Sequence, residues 1–406
     1  MKNTFFISNF FLLIFSLNLF TEDFLIKNAK IFTGTDQGLI KNSDIHIKDG
    51  RIQEIKNEID ISNIKVIDLN GKLITSGFIS PLTQLGLVEI GLESRTRNDS
   101  SDVYSAGFSI ASSFNPKSTL IPYNLTGGIT LSLSSPSSGG LFSGLSSAFY
   151  LSGKLKNSLL KKDIALIASI RSGEGSKAAS FLLLEDFLTY AQDRNAEKDL
   201  SIIPLSQEDG NISIRDLRAI KRVVDKEIPL VVRVDKSSDI LTILDLAKRK
   251  DIELIIAGAS EGWMVANELA DSGVPVILTP IDNIPSSFDS LGSRLDNASI
   301  LHKAGVKLII SSHETHNAYL SRQGAGIAVS YGLPWEEAIK ALTINISESF
   351  NLDEIGAIKS GYKADLVVWD GDPLEVTSFV ERVFISGKEV PVENRSMRLR
   401  DRYLDN

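Results

Sequence analysis

Two histidines three positions apart, in the stretch SSHETHNAYLSRQ (311 to 323), form the densest concentration of chemistry-bearing side chains in the sequence. His313 and His316, with Glu314 between them, could ligate a divalent metal from a loop or act as a general acid/base pair. Imidazole changes charge near neutral pH and is also the commonest metal ligand. Asn317 and Arg322 follow closely and are candidate substrate-binding groups. A hydrogen-bonded loop capping the next helix would show the same spacing. Arg233 and Asp235 make a second constellation, projecting from one side of a strand under its period of two. An unpaired buried guanidinium is costly. Arg233 therefore either pairs internally, with Asp235, Glu261 or Glu314, or receives a carboxylate-bearing substrate.

Composition narrows the remaining chemistry. Cysteine is absent, which removes disulfides, thiolate nucleophiles and sulfur-ligated metals. Histidine occurs four times, as His46, His302, His313 and His316, so zinc-type chemistry must use these or carboxylates. The net charge of −8 argues against a nucleic-acid surface, because phosphate binding needs clustered Lys and Arg. The basic RSMRLRDR near the end is short, interleaved with acids and reads as a solvated tail. The amino-terminal MKNTFFISNFFLLIFSLNLFTED combines an early Lys with an apolar run, as a secretory signal does, and implies export to the periplasm with a mature chain starting near residue 22. An uncleaved anchor is the other reading. No later segment approaches the ~20 apolar residues of a spanning helix.

The elements that must position these groups fall into three parts. From residue 24 to 74, short strands alternate with the turns KDGR and LNGK, which read as hairpins because Asp-Gly and Asn-Gly accept positive φ. His46, between Ile45 and Ile47, should face solvent. After residue 76, apolar runs such as IALIASI, PLVVRV, IELIIAG and VKLIISS alternate with helical stretches, the pattern of parallel strands covered by helices. Ser213 with Asp216 reads as a capping-box start for one of those helices. The Gly and Ser run SSPSSGGLFSGLSS (134 to 147) reads as a loop or lid, and the end of the chain returns to strands, FISGKEV being another hairpin. The expected fold is α/β: a (β/α)8 TIM barrel inserted into a small composite β-sandwich, since barrel termini lie close together. Residues 1–21 would be the signal, 22–76 and 355–395 the sandwich, 77–354 the barrel and 396–406 a tail.

Two stretches carry a family resemblance. IDLNGKLITSGFISPLTQLG is similar to a Gly-Lys-x-Val-x-Pro-Gly-Phe-Ile-Asp-x-His-x-His run, and GLPWEEAIKALTINISESFNLDEIGAIKSGYKADLVVWDGDPLE resembles the terminal run of the amidohydrolase superfamily, nearest its imidazolonepropionase-like and dihydroorotase-like members. The resemblance implies a hydrolase of non-peptide carbon–nitrogen bonds with a metal held by His-x-His on strand 1, one His each on strands 5 and 6, and an Asp on strand 8. Carried over, these positions fall on Leu82, Gln84, Arg233, Ala257, and His313 or Glu314. Leucine and alanine offer no donor and arginine opposes a cation. No metal is therefore expected unless His313 and His316 build a relocated site. The candidate catalytic residues are then His313, Glu314 and His316, and the candidate substrate contacts Gln84, Arg233, Asp235, Asn317 and Arg322. The expected partner is a small-molecule substrate or ligand, or in a non-catalytic role a ligand or protein in the former pocket; a homo-oligomer is compatible with the sequence.

Overall fold

The computed structural model describes residues 23–137, 139–170, 176–193, 213–312 and 314–404. The amino-terminal strands are β1 (Phe24–Phe32), β2 (Leu39–Lys48), β3 (Arg51–Lys56), β4 (Lys65–Asp68) and β5 (Leu73–Ser76). β1, β2 and β3 form an antiparallel meander. Asp49 and Gly50 turn between β2 and β3 with φ of 55° and 74°, as the Asp-Gly pair predicts. Asn70 and Gly71 have similar angles, 49° and 81°, yet make no hairpin. β4 and β5 both run parallel to β1, one after the other, so this turn is a jog within a continuing direction. Its Gly71 amide is taken by the Asn28 carbonyl of β1 at 2.7 Å, which holds the chain against the strand it already pairs. His46 is half-buried rather than solvated, its Nε2 2.7 Å from Asp23 Oδ1.

Eight strands follow in a second sheet, β6 (Phe78–Thr83), β7 (Ile129–Ser134), β8 (Phe142–Tyr150), β9 (Leu159–Ser169), β10 (Leu230–Val234), β11 (Leu254–Gly258), β12 (Val276–Leu278) and β13 (Leu308–Ile310), each paired with the next. The result is a nearly closed barrel. All but one of the strands share a direction. β8 runs antiparallel to both neighbours. It occupies much of the Gly and Ser run read above as a loop, and all nine of its residues are buried. Its polar side chains made it look like a connection, but burial of both faces gives the Ser-rich segment two ladder partners and no solvent. Between β13 and β6 the seam is closed by side chains: Ser311 Oγ donates to the Pro81 carbonyl, and Thr83 Oγ1 to the Glu314 carbonyl, each at 2.9 Å. Pro81 has no amide to offer a ladder there.

The last strands, β14 (Leu366–Trp369), β15 (Val380–Ile385) and β16 (Lys388–Val390), return to the first sheet, where β14 pairs antiparallel with β5. Ser386 and Gly387 make the predicted hairpin turn (φ 48° and 71°), which packs on the Asp49–Gly50 turn so closely that a Cβ on Gly50 would lie 2.7 Å from the Ser386 carbonyl oxygen. Both ends of the chain thus build one sheet and the barrel is the insertion between them. Residues read as a tail include a helix, Arg395–Leu404, with none of its residues buried. Among the described residues no helix is long and apolar enough to cross a membrane, and the leader-like stretch lies outside the described residues.

The capping box at Ser213 is present. Ser213 Oγ accepts from the Asp216 amide at 3.1 Å and Asp216 Oδ2 accepts from the Ser213 amide at 3.0 Å. Asp216 Oδ1 reaches further, accepting from the amides of Ser105 (3.1 Å) and Gly107 (2.7 Å) in the loop that follows β6. Replacing Asp216 with Ala removes the cap, worth about 1 kcal/mol, and orphans two amides at roughly 1–3 kcal/mol. The expected loss is roughly 2–4 kcal/mol in urea denaturation, with Asp216→Asn intermediate. Equal midpoints for the Ala variant and the parent would contradict this double role.

Candidate active site at the barrel mouth

The site is assembled from the ends of β6, β10, β11 and β12. Leu82 and Gln84, Arg233 and Asp235, Ala257 and Gly258, and Leu278 with Thr279 line one cavity of about 480 Å³. It sits at the carboxyl ends of the parallel strands, where barrels of this architecture hold ligands because the loops there are free to vary. The backbone at two of these ends is strained. Leu82 has φ +55° and Ala259 φ +48°, both buried and neither glycine. Such conformations cost on the order of 1–3 kcal/mol and persist where the surroundings over-determine them. At Leu82 the surroundings are Pro81 before it and Thr83 after it, whose hydroxyl bridges to the Glu314 carbonyl.

The strained turn after β11 is held from two sides. Asp235 Oδ1 accepts from Ser260, at 2.6 Å from its hydroxyl and 3.2 Å from its amide. Asn297 Nδ2 donates to the Ala259 carbonyl at 2.9 Å. Gly258, at φ +103°, is the residue that allows this approach: a Cβ there would lie 2.7 Å from Asp235 Oδ1. Glu261 accepts instead from Ser237, through its amide at 3.1 Å and its hydroxyl at 3.2 Å. On the rim, Lys177 Nζ lies 2.6 Å from Asp239 and 2.8 Å from Asp289. Burial works against the Lys177 charge, but the two carboxylates outweigh it and raise its pKa above the ordinary lysine value. The Lys177 ammonium in turn holds the Asp289 carboxyl below its usual range, helped by Lys236.

Gln84, Arg233 and Asp235 line the same cavity, and Gln84 Oε1 accepts from Thr315 Oγ1 at 2.8 Å. The other sequence candidates stand elsewhere. Glu314 is exposed and is not part of the cavity wall. His316 turns away, its Nε2 3.0 Å from the Glu89 carbonyl in the loop after β6, and Asn317 is exposed. Arg322 is buried on the helix Leu320–Ser330, where it donates to the carbonyls of Glu375 and Ser378 at 3.1 Å and lies over the Trp369 ring. Burial lowers its pKa, opposed by Asp370 and Asp372. That geometry ties barrel to sheet, and Arg322 is not part of the cavity wall. His313 lies outside the described residues. The cavity's Lys177, Asn297 and Ser260 were not singled out from the sequence, because chain separations of 25 to 112 residues between bonded partners leave no local signal.

Residues 234–390 match the family model described as amidohydrolase family. The solved structure of an amidohydrolase from Thermotoga maritima MSB8 superposes with a TM-score of 0.80 at 24% identity, covering 91% of this chain and 99% of that one. The family model thus matches the second half of the barrel and the sheet strands after it, and the superposition shows that the chain has this fold. Curated relatives match in part: the D-hydantoinase of Geobacillus stearothermophilus is 35% identical over 102 residues, 25% of this chain, and the adenine deaminase of Desulfitobacterium hafniense (strain Y51) 40% over 68 residues, 17% of this chain. Those matches span only 20% and 11% of the relatives' own lengths.

The resemblance implies a metal at this mouth. Among the described residues no group of three or more His, Cys, Asp or Glu is placed to bind one. Leu82 and Ala257 in the cavity wall present no donor atoms, Arg233 brings a charge of the metal's own sign, and Asp235 Oδ1 is already engaged by Ser260. The described residues do not fit the group.

Proposed function

We propose that this protein is a member of the amidohydrolase superfamily descended from hydrolases of non-peptide carbon–nitrogen bonds, has lost the usual metal centre, and binds a small molecule in its mouth cavity through hydrogen bonds and charge. One observation carries the reading: Leu82, Arg233 and Ala257, onto which the resemblance carries three of the family's imidazole ligands, line the same cavity. A water activated by a metal there would lack its holder. The same side chains favour a non-catalytic role for the cavity over turnover. Export to the periplasm belongs to the proposal on the strength of the amino-terminal sequence alone.

The test is metal analysis of the full-length protein after growth and dialysis with zinc, together with assays on a hydantoin and on adenine, the compounds that the relatives' names suggest. Substoichiometric metal, no turnover, and stabilisation of the fold by a cavity ligand are the expected results. A stoichiometric ion lost on replacing His313 and His316 together, with turnover lost alongside it, would establish a relocated catalytic site and overturn the proposal.

A further inference from the structure

The helix Arg395–Leu404, which follows β16, has ten residues, and none of them is buried. Its first turn is held in place. Asn394 Oδ1 accepts from the Met397 amide at 3.0 Å, and the Ser396 hydroxyl meets that of Tyr123 on the barrel helix Leu120–Leu125. Beyond that turn three apolar side chains stand in solvent, Leu399 at 39%, Tyr403 at 71% and Leu404 at 75% exposure. At 3.6 residues per turn Arg395, Arg398 and Arg402 share one face, and Leu399, Tyr403, Leu404 and the half-buried Met397 fill the arc beside it, interrupted by Arg400. A helix of this length is marginal in water, where about 12–15 residues are needed even for alanine-rich sequences. Like charges three and four positions apart weaken it further, and Arg395 sets a positive charge in the first turn, against the helix dipole. Among the described residues neither Arg395 nor Arg398 has an ion pair, while Arg400 takes its neighbour Asp401 at 2.6 Å. Four arginines and one aspartate thus stand together in a protein whose net charge is −8.

We infer that Arg395–Leu404 docks on the surface of an anionic lipid bilayer, with Arg395, Arg398 and Arg402 at the level of the lipid phosphates and Leu399, Tyr403 and Leu404 at the boundary of the acyl chains. The inference is independent of any role of the mouth cavity. A helix with arginines on its polar face and large apolar side chains on the other lies in the plane of a membrane interface. Guanidinium groups bind phosphate oxygens in pairs, their stems cover apolar surface, and a tyrosine suits a depth where one end is apolar and the other wet. A soluble polyanion would match the arginines and leave the apolar side chains in water. A neutral bilayer would take the apolar side chains and leave the arginines without counter-charge. The rest of the protein is acidic and is repelled by the same surface, so the contact is confined to this helix, and attachment is reversible and weakened by salt.

The test places a tryptophan on the helix itself, as Tyr403→Trp in the full-length protein, so that the signal reports on this contact whatever the amino-terminal apolar run does. Its emission, taken as the difference from the parent, is followed during titration with vesicles of phosphatidylcholine alone or of phosphatidylcholine and phosphatidylglycerol in equal parts. A saturable shift to shorter wavelength with the anionic vesicles, absent with the neutral ones and reversed by salt, is expected. Replacing Arg395, Arg398 and Arg402 together by Gln should weaken it roughly a hundredfold, since each arginine near an anionic surface contributes about a factor of five. Leu399→Gln with Leu404→Gln keeps the charge and should abolish the shift. None of these side chains is buried, so the variants keep the barrel and sheet, which thermal unfolding checks. No shift with anionic vesicles, an equal shift with neutral ones, or an unchanged affinity in the arginine variant would overturn the inference. So would an equal shift with poly-glutamate, which would point to an acidic protein partner, or a lipid-free dimer in sedimentation that the arginine variant dissolves, which would make a second copy the occupant.

Discussion

Trp369→Ala should destabilise the protein by roughly 3–5 kcal/mol, the range for removing a large buried aromatic side chain. Trp369 is fully buried at the join between sheet and barrel. Its ring lies 5.2 Å from that of Phe78, the first residue of β6, and its Nε1 donates to Thr75 Oγ1 of β5 at 3.0 Å. The ring also fills the space that a Cβ on Gly128 would need, 2.5 Å away, and forms the face over which Arg322 sits. Losing it removes packing on both sides of the join at once and strips a buried guanidinium of its aromatic neighbour. Trp369→Phe keeps most of the packing and loses one hydrogen bond, so it should cost about 1–2 kcal/mol. Urea denaturation followed by fluorescence of the remaining tryptophans and by circular dichroism checks both. A midpoint for Trp369→Ala close to the parent's would mean that sheet and barrel are stable independently of this contact.

The second large effect is on pH. Asp365, just before β14, is fully buried, and burial raises its pKa to about 6, opposed by a hydrogen bond from the Ser386 amide and by the charge of Lys363. Oδ1 takes the Ser386 amide at 2.6 Å and Oδ2 has no partner among the described residues. Lys363 reaches the Tyr150 hydroxyl at 3.0 Å, and burial, with the Asp365 charge behind it, pushes that phenol above its ordinary value. Because the folded-state pKa of Asp365 lies above the unfolded value, the native state binds its proton more tightly. The stabilisation is complete below about pH 4 and is lost as pH rises through about 6. A shift of about two units corresponds to roughly 3 kcal/mol over that window. Asp365→Asn keeps an acceptor for the Ser386 amide and removes the ionisation. The difference between parent and variant stability should therefore slope across pH 4 to 6 and be flat above it. Carboxylates held low by ion pairs, Asp289 and Glu185 among them, act in the opposite sense at lower pH, which is why the difference is the quantity to read. A difference independent of pH would show that Asp365 titrates normally despite its burial.

How far the candidate site was legible differs from residue to residue. Arg233 and Asp235 could be placed together because the period of a strand is a local property, and the structure puts both in the cavity. His316 and Arg322 carried the same kind of local signal, dense polar chemistry after the last barrel strand, yet they turn to the Glu89 carbonyl and to the carbonyls of Glu375 and Ser378. Spacing along a loop says which groups are near one another in the chain and nothing about the direction in which they point. Asn297 and Ser260 had no signal, since their roles come from a turn whose geometry depends on Gly258 and on Asp235 from the neighbouring strand.

By itself the sequence determined the alternation of strands and helices, the two β segments flanking a barrel, and which residue types stand at the strand ends. These follow from hydrophobic period and turn chemistry, which act over a few residues. Only the tertiary structure decided that the Ser-rich run from 142 is a buried antiparallel strand, that Asn70 and Gly71 jog a strand without reversing it, and which side chains share the mouth cavity. Pairing partners and convergence depend on contacts between segments far apart in the chain, and a serine or an Asn-Gly pair reads the same locally whether the neighbour that satisfies it is water or another strand.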